Sequence, residues 1–163
     1  MNIYSRFRTA FAALLMIVGT MIAGTITASA QADPKPASSI PDADLMQPAE
    51  VAALLRSTVA KPLILQVGFK KLYDQSHIPG AEYAGPTGNE DGLKVLRERV
   101  ANLPKDTPIL IYCGCCPWSR CPNIGNAYHE LRSLGFKHVK ALHIADNFGK
   151  NWVDKGYPTE HGS

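Results

Sequence analysis

All four cysteines of this 163-residue chain fall within nine positions, at Cys113, Cys115, Cys116 and Cys121. Thiols so close along the chain cannot cross-link distant parts of a fold, so they either close small loops or act chemically. The thiolate is the nucleophilic and metal-binding form of cysteine, and nearby positive charge favours it. Arg120 supplies such a charge directly before the last cysteine. The cluster therefore indicates a site of thiol chemistry.

The segments on either side of the cysteines predict how they are positioned. The apolar run Ile109–Tyr112 precedes the cluster and predicts a buried strand. After the cluster, apolar residues recur at helical spacing, and Pro122 suits the first position of that helix. Unpaired N–H groups and the positive end of the helix dipole should then face the cysteine loop. We expect Cys113, at the strand end, to be the nucleophile, and Cys121 to be the helix N-cap.

The remaining periodic segments predict strands alternating with helices. Further strands are expected at Leu63–Val67 and Val139–Ile144, and helices at Pro48–Arg56, Lys70–Gln75, Asp91–Asn102 and Asp146–Lys155. This alternation predicts an α/β domain whose central sheet is mostly parallel and flanked by helices. We expect Leu63–Val67 and Ile109–Tyr112 to be parallel neighbours. Sites in such sheets lie at the carboxyl ends of the strands, where the cysteine loop is placed.

The first 30 residues have the features of a signal peptide. Arg6 and Arg8 form a basic start, Ala10–Ile26 is mostly apolar, and Ala28-Ser29-Ala30 is a small-residue cleavage site. The mature chain should begin at or just after Gln31 and work in the periplasm or outside the cell. An uncleaved membrane anchor is the alternative, because the apolar run approaches the length that spans a bilayer. Residues 31–43, rich in Pro, Ala and Ser, predict a flexible linker.

The charge of the chain argues against some partners. The formal net charge of +3 rests on 17 basic and 14 acidic residues, and removal of residues 1–30 takes away two of the arginines and no acid. No basic patch with interleaved aromatic residues remains, so the sequence does not predict nucleic-acid binding. After signal cleavage we also expect no membrane association.

Three motifs in the chain resemble those of a known family. His77-Ile78-Pro79-Gly80-Ala81 is similar to a family turn, Ile109–Cys113 to a strand ending in the catalytic cysteine, and Leu134–Val139 with Gly156-Tyr157-Pro158 to the closing motifs. These residues resemble the rhodanese (sulfurtransferase) family, over residues 44–160. The resemblance implies a single rhodanese-like α/β domain.

The resemblance also implies an activity and a set of site residues. A rhodanese moves a sulfane sulfur from a donor such as thiosulfate to a thiophilic acceptor, a small thiol or a protein partner, through a cysteine persulfide. Cys113 would be the nucleophile and Arg120 would hold an anionic donor. No cofactor or metal is expected. Substrate contacts would come from Gly114, Cys116, Trp118 and Ser119, and Cys121 is a candidate resolving thiol.

Two departures from the family pattern concern the site. The family has Asp-x-Arg at the end of the first buried strand, where this chain has Gln66-Val67-Gly68. The family loop has four residues between cysteine and arginine. Six separate Cys113 from Arg120, whereas four separate Cys115 from it. Cys115 is therefore the rival candidate for the nucleophile.

Two other functions of the cysteine loop remain open at this point. A disulfide within the loop, at rest or in thiol–disulfide exchange, would suit an oxidising compartment. Four thiolates are also enough for a tetrahedral zinc site or for a soft ion such as copper(I). The alternative to the sulfurtransferase is thus a thiol redox or soft-metal-binding module on a rhodanese fold.

Overall fold

A five-stranded parallel sheet with helices on both faces forms the part of the chain that the computed structural model describes, residues 36–162. The predicted signal peptide lies outside these residues. The strands are β1 (Leu45–Met46), β2 (Leu63–Gln66), β3 (Glu82–Tyr83), β4 (Ile109–Tyr112) and β5 (Val139–Leu142). The helices are α1 (Pro48–Arg56), α2 (Lys70–Gln75), α3 (Glu90–Val100), α4 (Pro122–Ser133) and α5 (Phe148–Asn151).

The strand order is β1-β5-β4-β2-β3, and every pairing is parallel. Strand β4 lies in the middle, with Leu65 of β2 opposite Ile111. The predicted parallel neighbours are therefore confirmed. The two edge strands were not predicted, because two residues are too few to show a hydrophobic period.

Side chains alternate between two apolar layers along β4. Ile109 and Ile111 join a cluster that includes residues of α3 and α4, and Cys113 continues this alternation. Leu110 and Tyr112 face the opposite layer, which contains the fully buried Trp152. Every residue of β4 is buried. The strand therefore fixes the backbone from which the cysteine loop leaves the sheet.

Two of the sequence-based boundaries need correction. Within the predicted linker, Ala37 and Ile40 pack on the domain, because they are 1% and 4% exposed and belong to the core on the α4 side. Their Pro- and Ser-rich stretch gave no sequence signal of this packing. The expected last helix, Asp146–Lys155, divides into α5 and a separate 3₁₀ turn, Val153–Lys155. Within residues 36–162, no helix is both long and apolar enough to span a bilayer.

Candidate functional site

The cysteine loop begins with a sharp turn at the end of β4. The amide of Val67 donates to the carbonyl of Tyr112 (2.9 Å), so the sheet holds the chain up to the residue before Cys113. Gly114 then has φ +77°, which favours glycine. A Cβ there would lie 2.7 Å from the Cβ of Phe148. The amide of Phe148 also donates to the Gly114 carbonyl (3.0 Å), which fixes the start of α5 beside the loop.

The second half of the loop folds back onto the segment that follows β5 before it enters α4. A 3₁₀ turn, Trp118–Arg120, leads into Cys121, which is the N-cap of α4 as predicted. The Trp118 amide donates to the Ala145 carbonyl (3.0 Å), and its indole ring makes an edge contact with His143. This fold-back returns Cys121 to the neighbourhood of Cys113.

The loop gathers the thiols around one sulfur. Cys115 Sγ lies 3.1 Å from the Sγ of Cys113 and 3.3 Å from that of Cys116. The sulfurs of Cys113, Cys115 and Cys121 all lie within 4.8 Å of one another. Asn123, which is 3% exposed, places Nδ2 at 3.4 Å from both Cys113 Sγ and Cys115 Sγ. Cys115 is thus the centre of the cluster.

The thiols share their protons unequally. Hydrogen bonds donated by Cys113 and Cys121, with smaller contributions from Cys116 and Asn123, lower the pKa of Cys115 to about 2. The pKa of Cys113 is raised, because its proton is held in hydrogen bonds to Cys115 and Cys121 and because the side chain is buried. Burial first, and then the hydrogen bond to Cys115, raise the pKa of Cys116. The hydrogen-bond arrangement therefore favours the thiolate on Cys115 over one on its neighbours.

Two cavities open onto Cys115. The larger, of about 420 Å³, lies against Cys113, Gly114 and Cys115. Its other walls come from Gln66, Leu72, Gln75, Ser76, Tyr112, Asn147, Phe148, Gly149 and Val153. The second, of about 330 Å³, is lined by Cys115, Cys116 and Asn123, with Phe69, Pro86, Gly88, Asn89 and Pro122. None of these described residues carries a formal charge apart from the cysteines that ionise.

The residues predicted to bind substrate are spread around the loop. Gly114 lines the larger cavity and Cys116 the second. Trp118 packs against His143 and borders only a minute space of about 10 Å³ behind the cysteines. Ser119 and Arg120 are exposed and are not among the described residues that line either large cavity.

Sequence reasoning assigned no role to four residues that contact the sulfurs or fix their neighbours. Gln66 accepts a hydrogen bond from the Gly68 amide (3.2 Å), and a Cβ on Gly68 would lie 3.0 Å from Cys113 Sγ. The Asn123 backbone is held by the Thr87 hydroxyl, which donates to its carbonyl (2.7 Å). The departure at Gln66-Val67-Gly68 was a signal, since it marked a changed wall of the site. Asn123, one residue after Pro122, gave no signal of its own.

Comparisons with known proteins agree with this architecture. The profile of the rhodanese-like domain family matches residues 47–144. Among solved structures, the Alr3790 protein of Anabaena sp. is 24% identical with a TM-score of 0.56, over 72% of this chain and 92% of that one. The BH2092 protein of Bacillus halodurans is 20% identical (TM-score 0.55; 71% and 75% covered). A rhodanese-like domain protein of Staphylococcus aureus is 16% identical (0.51; 74% and 99%). No curated protein matches the sequence.

Proposed function

The chain belongs to the rhodanese-like domain family, and on that premise we propose that it is an exported sulfurtransferase that carries sulfane sulfur as a cysteine persulfide. The observation that carries the proposal is the position of Cys115. Its sulfur accepts hydrogen bonds from neighbouring thiols and from Asn123, and it lies on the wall of both large cavities. A persulfide enzyme needs such an accessible, stabilised thiolate.

The proposed first step is attack by the Cys115 thiolate on the outer sulfur of a donor in the 420 Å³ cavity. A sulfur–sulfur bond forms to Cys115, the bond between the donor's two sulfurs breaks, and the donor leaves as a thiolate, or as sulfite when it is thiosulfate. Cys113, the nucleophile expected from sequence, instead donates a hydrogen bond to Cys115 and is 5% exposed. We assign Cys113 the role of positioning and stabilising the attacking sulfur.

The proposed second step transfers the sulfur to an acceptor thiolate. The acceptor attacks the outer sulfur of the Cys115 persulfide and leaves with it, which restores the Cys115 thiolate without any external oxidant or reductant. The second cavity gives the acceptor its own approach to Cys115, on the side of Cys116 and Asn123. A small thiol or the exposed cysteine of a protein partner fits this step.

The uncharged walls bear on the choice of donor. Thiosulfate is a dianion, and transfer of such a charge from water is costly without a cationic partner. Arg120, the residue expected to hold it, is exposed and lies outside both cavities. A donor with an apolar body and less charge, such as an alkyl persulfide, suits the larger cavity better than thiosulfate does.

The experiment that tests the proposal is intact mass measurement of the reduced protein after treatment with an alkyl persulfide, and separately with thiosulfate. We expect one added sulfur, which a thiol acceptor removes. Cys115→Ser should abolish the addition, while Cys113→Ser should slow it and keep the product. Loss of the addition in Cys113→Ser alone would return the role of nucleophile to Cys113.

The same measurement distinguishes the sulfurtransferase from the alternative, a thiol redox module. Four clustered thiols are compatible with a redox module, and a mass decrease of two hydrogens in place of added sulfur would identify a disulfide. If the unmodified protein and every single-cysteine variant transfer sulfur only at the background rate, the sulfurtransferase proposal is wrong.

Export is proposed on the sequence alone. Arg6, Arg8, the apolar segment and Ala28-Ser29-Ala30 support cleavage before Gln31. N-terminal sequencing of protein from the producing cell should begin at or just after Gln31, with the protein in the periplasmic or secreted fraction. A retained Met1 in the membrane fraction would contradict export.

A further inference from the structure

Cys113, Cys115 and Cys121 form a triangle of sulfurs, of which the proposed transfer step uses only one as the nucleophile. Sulfur transfer needs one nucleophile, yet the loop returns Cys121 from the start of α4 to bring three sulfurs within 4.8 Å. Three sulfurs around one ion at ~2.3 Å lie roughly 3.5–4.0 Å apart. The triangle therefore already has nearly the size of a trigonal three-sulfur site.

The surroundings of the triangle select the charge of its ligand. Cys113 and Cys121 are 5% and 4% exposed, and a buried net charge is costly without a partner. The cavities that border the cysteines contain no charged side chain among their described lining residues, apart from the thiols themselves. Three thiolates would leave a charge of −2 around copper(I) and −1 around zinc, but none around a trivalent ion.

We propose that Cys113, Cys115 and Cys121 bind a soft trivalent ion of the arsenite class as a neutral trithiolate. Arsenious acid is itself uncharged at neutral pH, so its entry into an uncharged cavity does not require the costly transfer of an ion from water. Three arsenic–oxygen bonds break and three arsenic–sulfur bonds form. The thiol protons of Cys113 and Cys121 leave as water with two of the hydroxides, and the third hydroxide, displaced by the Cys115 thiolate, takes a proton from solvent. No electron is transferred, and no other reactant is needed.

The fourth cysteine supplies a matched control. Cys116 lies 3.3 Å from Cys115 but is outside the triangle, and its sulfur is oriented towards the Arg120 carbonyl. A vicinal pair, Cys115 with Cys116, would bind arsenite through two sulfurs only. Comparison of Cys116→Ser with Cys121→Ser therefore distinguishes binding by the triangle from binding by the vicinal pair.

The test uses the reduced full-length chain and arsenite as the probe, with no sulfur donor present. Native mass spectrometry should show one arsenic added and three protons lost, and X-ray absorption should show three sulfurs on arsenic. Cys121→Ser should weaken binding by at least the roughly 10–100-fold that loss of an outer hydrogen-bonding partner costs a metal site. Cys116→Ser should bind within a few-fold of the parent, and circular dichroism verifies that both variants fold.

Three results would overturn the proposal. Two sulfurs on arsenic in the unmodified chain, or a larger loss in Cys116→Ser than in Cys121→Ser, would assign the ion to the vicinal pair. Tighter binding of zinc or copper(I) than of arsenite in direct competition would refute the charge argument. These readouts are independent of sulfur transfer, so they stand whether or not the sulfurtransferase proposal does.

Discussion

Proton sharing decides which cysteine of the cluster is reactive. A thiol surrounded by other thiols can ionise without a cation, provided that its neighbours keep their protons and donate them as hydrogen bonds. Cys115 has this position, with Cys113 and Cys116 at 3.1 and 3.3 Å and the Asn123 amide at 3.4 Å. The position of Cys113 at the strand end therefore matters less for its own reactivity than for the hydrogen bond it gives.

The lowered pKa of Cys115 predicts alkylation that is nearly independent of pH. A thiol of ordinary pKa, ~8.5, loses roughly 80-fold in thiolate between pH 8 and pH 6. Cys115, whose pKa is lowered to about 2, stays ionised over this range. Its rate of reaction with iodoacetamide, followed by mass spectrometry of the peptide, should change less than ~2-fold.

Asn123→Leu is the matched variant for this measurement. It keeps a side chain of similar size and removes the N–H groups that face Cys113 and Cys115. Because the thiolate loses a donor, the pKa of Cys115 should rise, so the fall in alkylation rate on acidification should begin at a higher pH than in the unmodified protein when the titration is extended below pH 6. Identical profiles over this extended range would show that Asn123 does not stabilise the thiolate.

At the scale of elements, the loop between β4 and α4 works because its two ends are fixed. Strand β4 holds Cys113, and the N-terminus of α4 holds Cys121 and Asn123. Between them, Gly114 reverses the chain against α5, where Phe148 packs on its Cα. Helix α5 therefore both lines the larger cavity and holds the turn.

Gly114→Ala should destabilise the protein by two separate effects. A positive φ costs a non-glycine residue ~1–2 kcal/mol, and contact with Phe148 at 2.7 Å adds an overpacking cost of ~1–3 kcal/mol. Urea unfolding should report the sum as a lower free energy of unfolding. Gly135→Ala is the control, because Gly135 has φ +89° but no atom within 4 Å of its Cβ position. Equal losses in the two variants would exclude the contact with Phe148.

At the scale of the whole molecule, exposed apolar side chains concentrate at the site. Phe69 lines the second cavity, and Leu72 and Val153 line the larger one. Together they are three of the five large hydrophobic residues exposed in the described part of the chain. With no charged residue among the described lining of either cavity, the proposed sulfur transfer would favour donors and acceptors that are apolar near Cys115.

Placing a cation at the cavity should shift the donor preference towards thiosulfate. Leu72→Lys would add a positive charge at the wall of the larger cavity. An attraction of about 1 kcal/mol between this ammonium and a bound thiosulfate corresponds to an increase of about fivefold in kcat/KM. The ratio of kcat/KM for thiosulfate to that for an alkyl persulfide should rise accordingly. Val95→Lys is the control, since Val95 is equally exposed, 38% against 37%, but lies on α3 and lines neither cavity. An equal rise in both variants would indicate a general effect of charge.

The sequence by itself determined the central pair of parallel strands, most of the helices and the position of the cysteine loop between a strand and a helix. Continuous apolar runs such as Ile109–Tyr112 can be satisfied only by strands buried on both faces, and the helical period of α4 is visible without a fold. Cys121 as N-cap and Pro122 as first helical residue follow from local backbone chemistry. These predictions succeeded because each depends on residues that are neighbours along the chain.

Only the tertiary structure decided which residues meet at the cysteines. Gln66 ends β2 and Gly68 follows it, Thr87 lies in the segment before α3, and Phe148 begins α5, so their contacts with the loop depend on sheet order and crossovers. The same holds for Ala37 and Ile40, whose burial against the α4 side is invisible in a Pro-rich stretch. The tertiary structure also decides that Cys115 lies at the centre of the cluster. The way the loop folds back, and not the spacing of the four cysteines along the chain, sets the distances between the sulfurs.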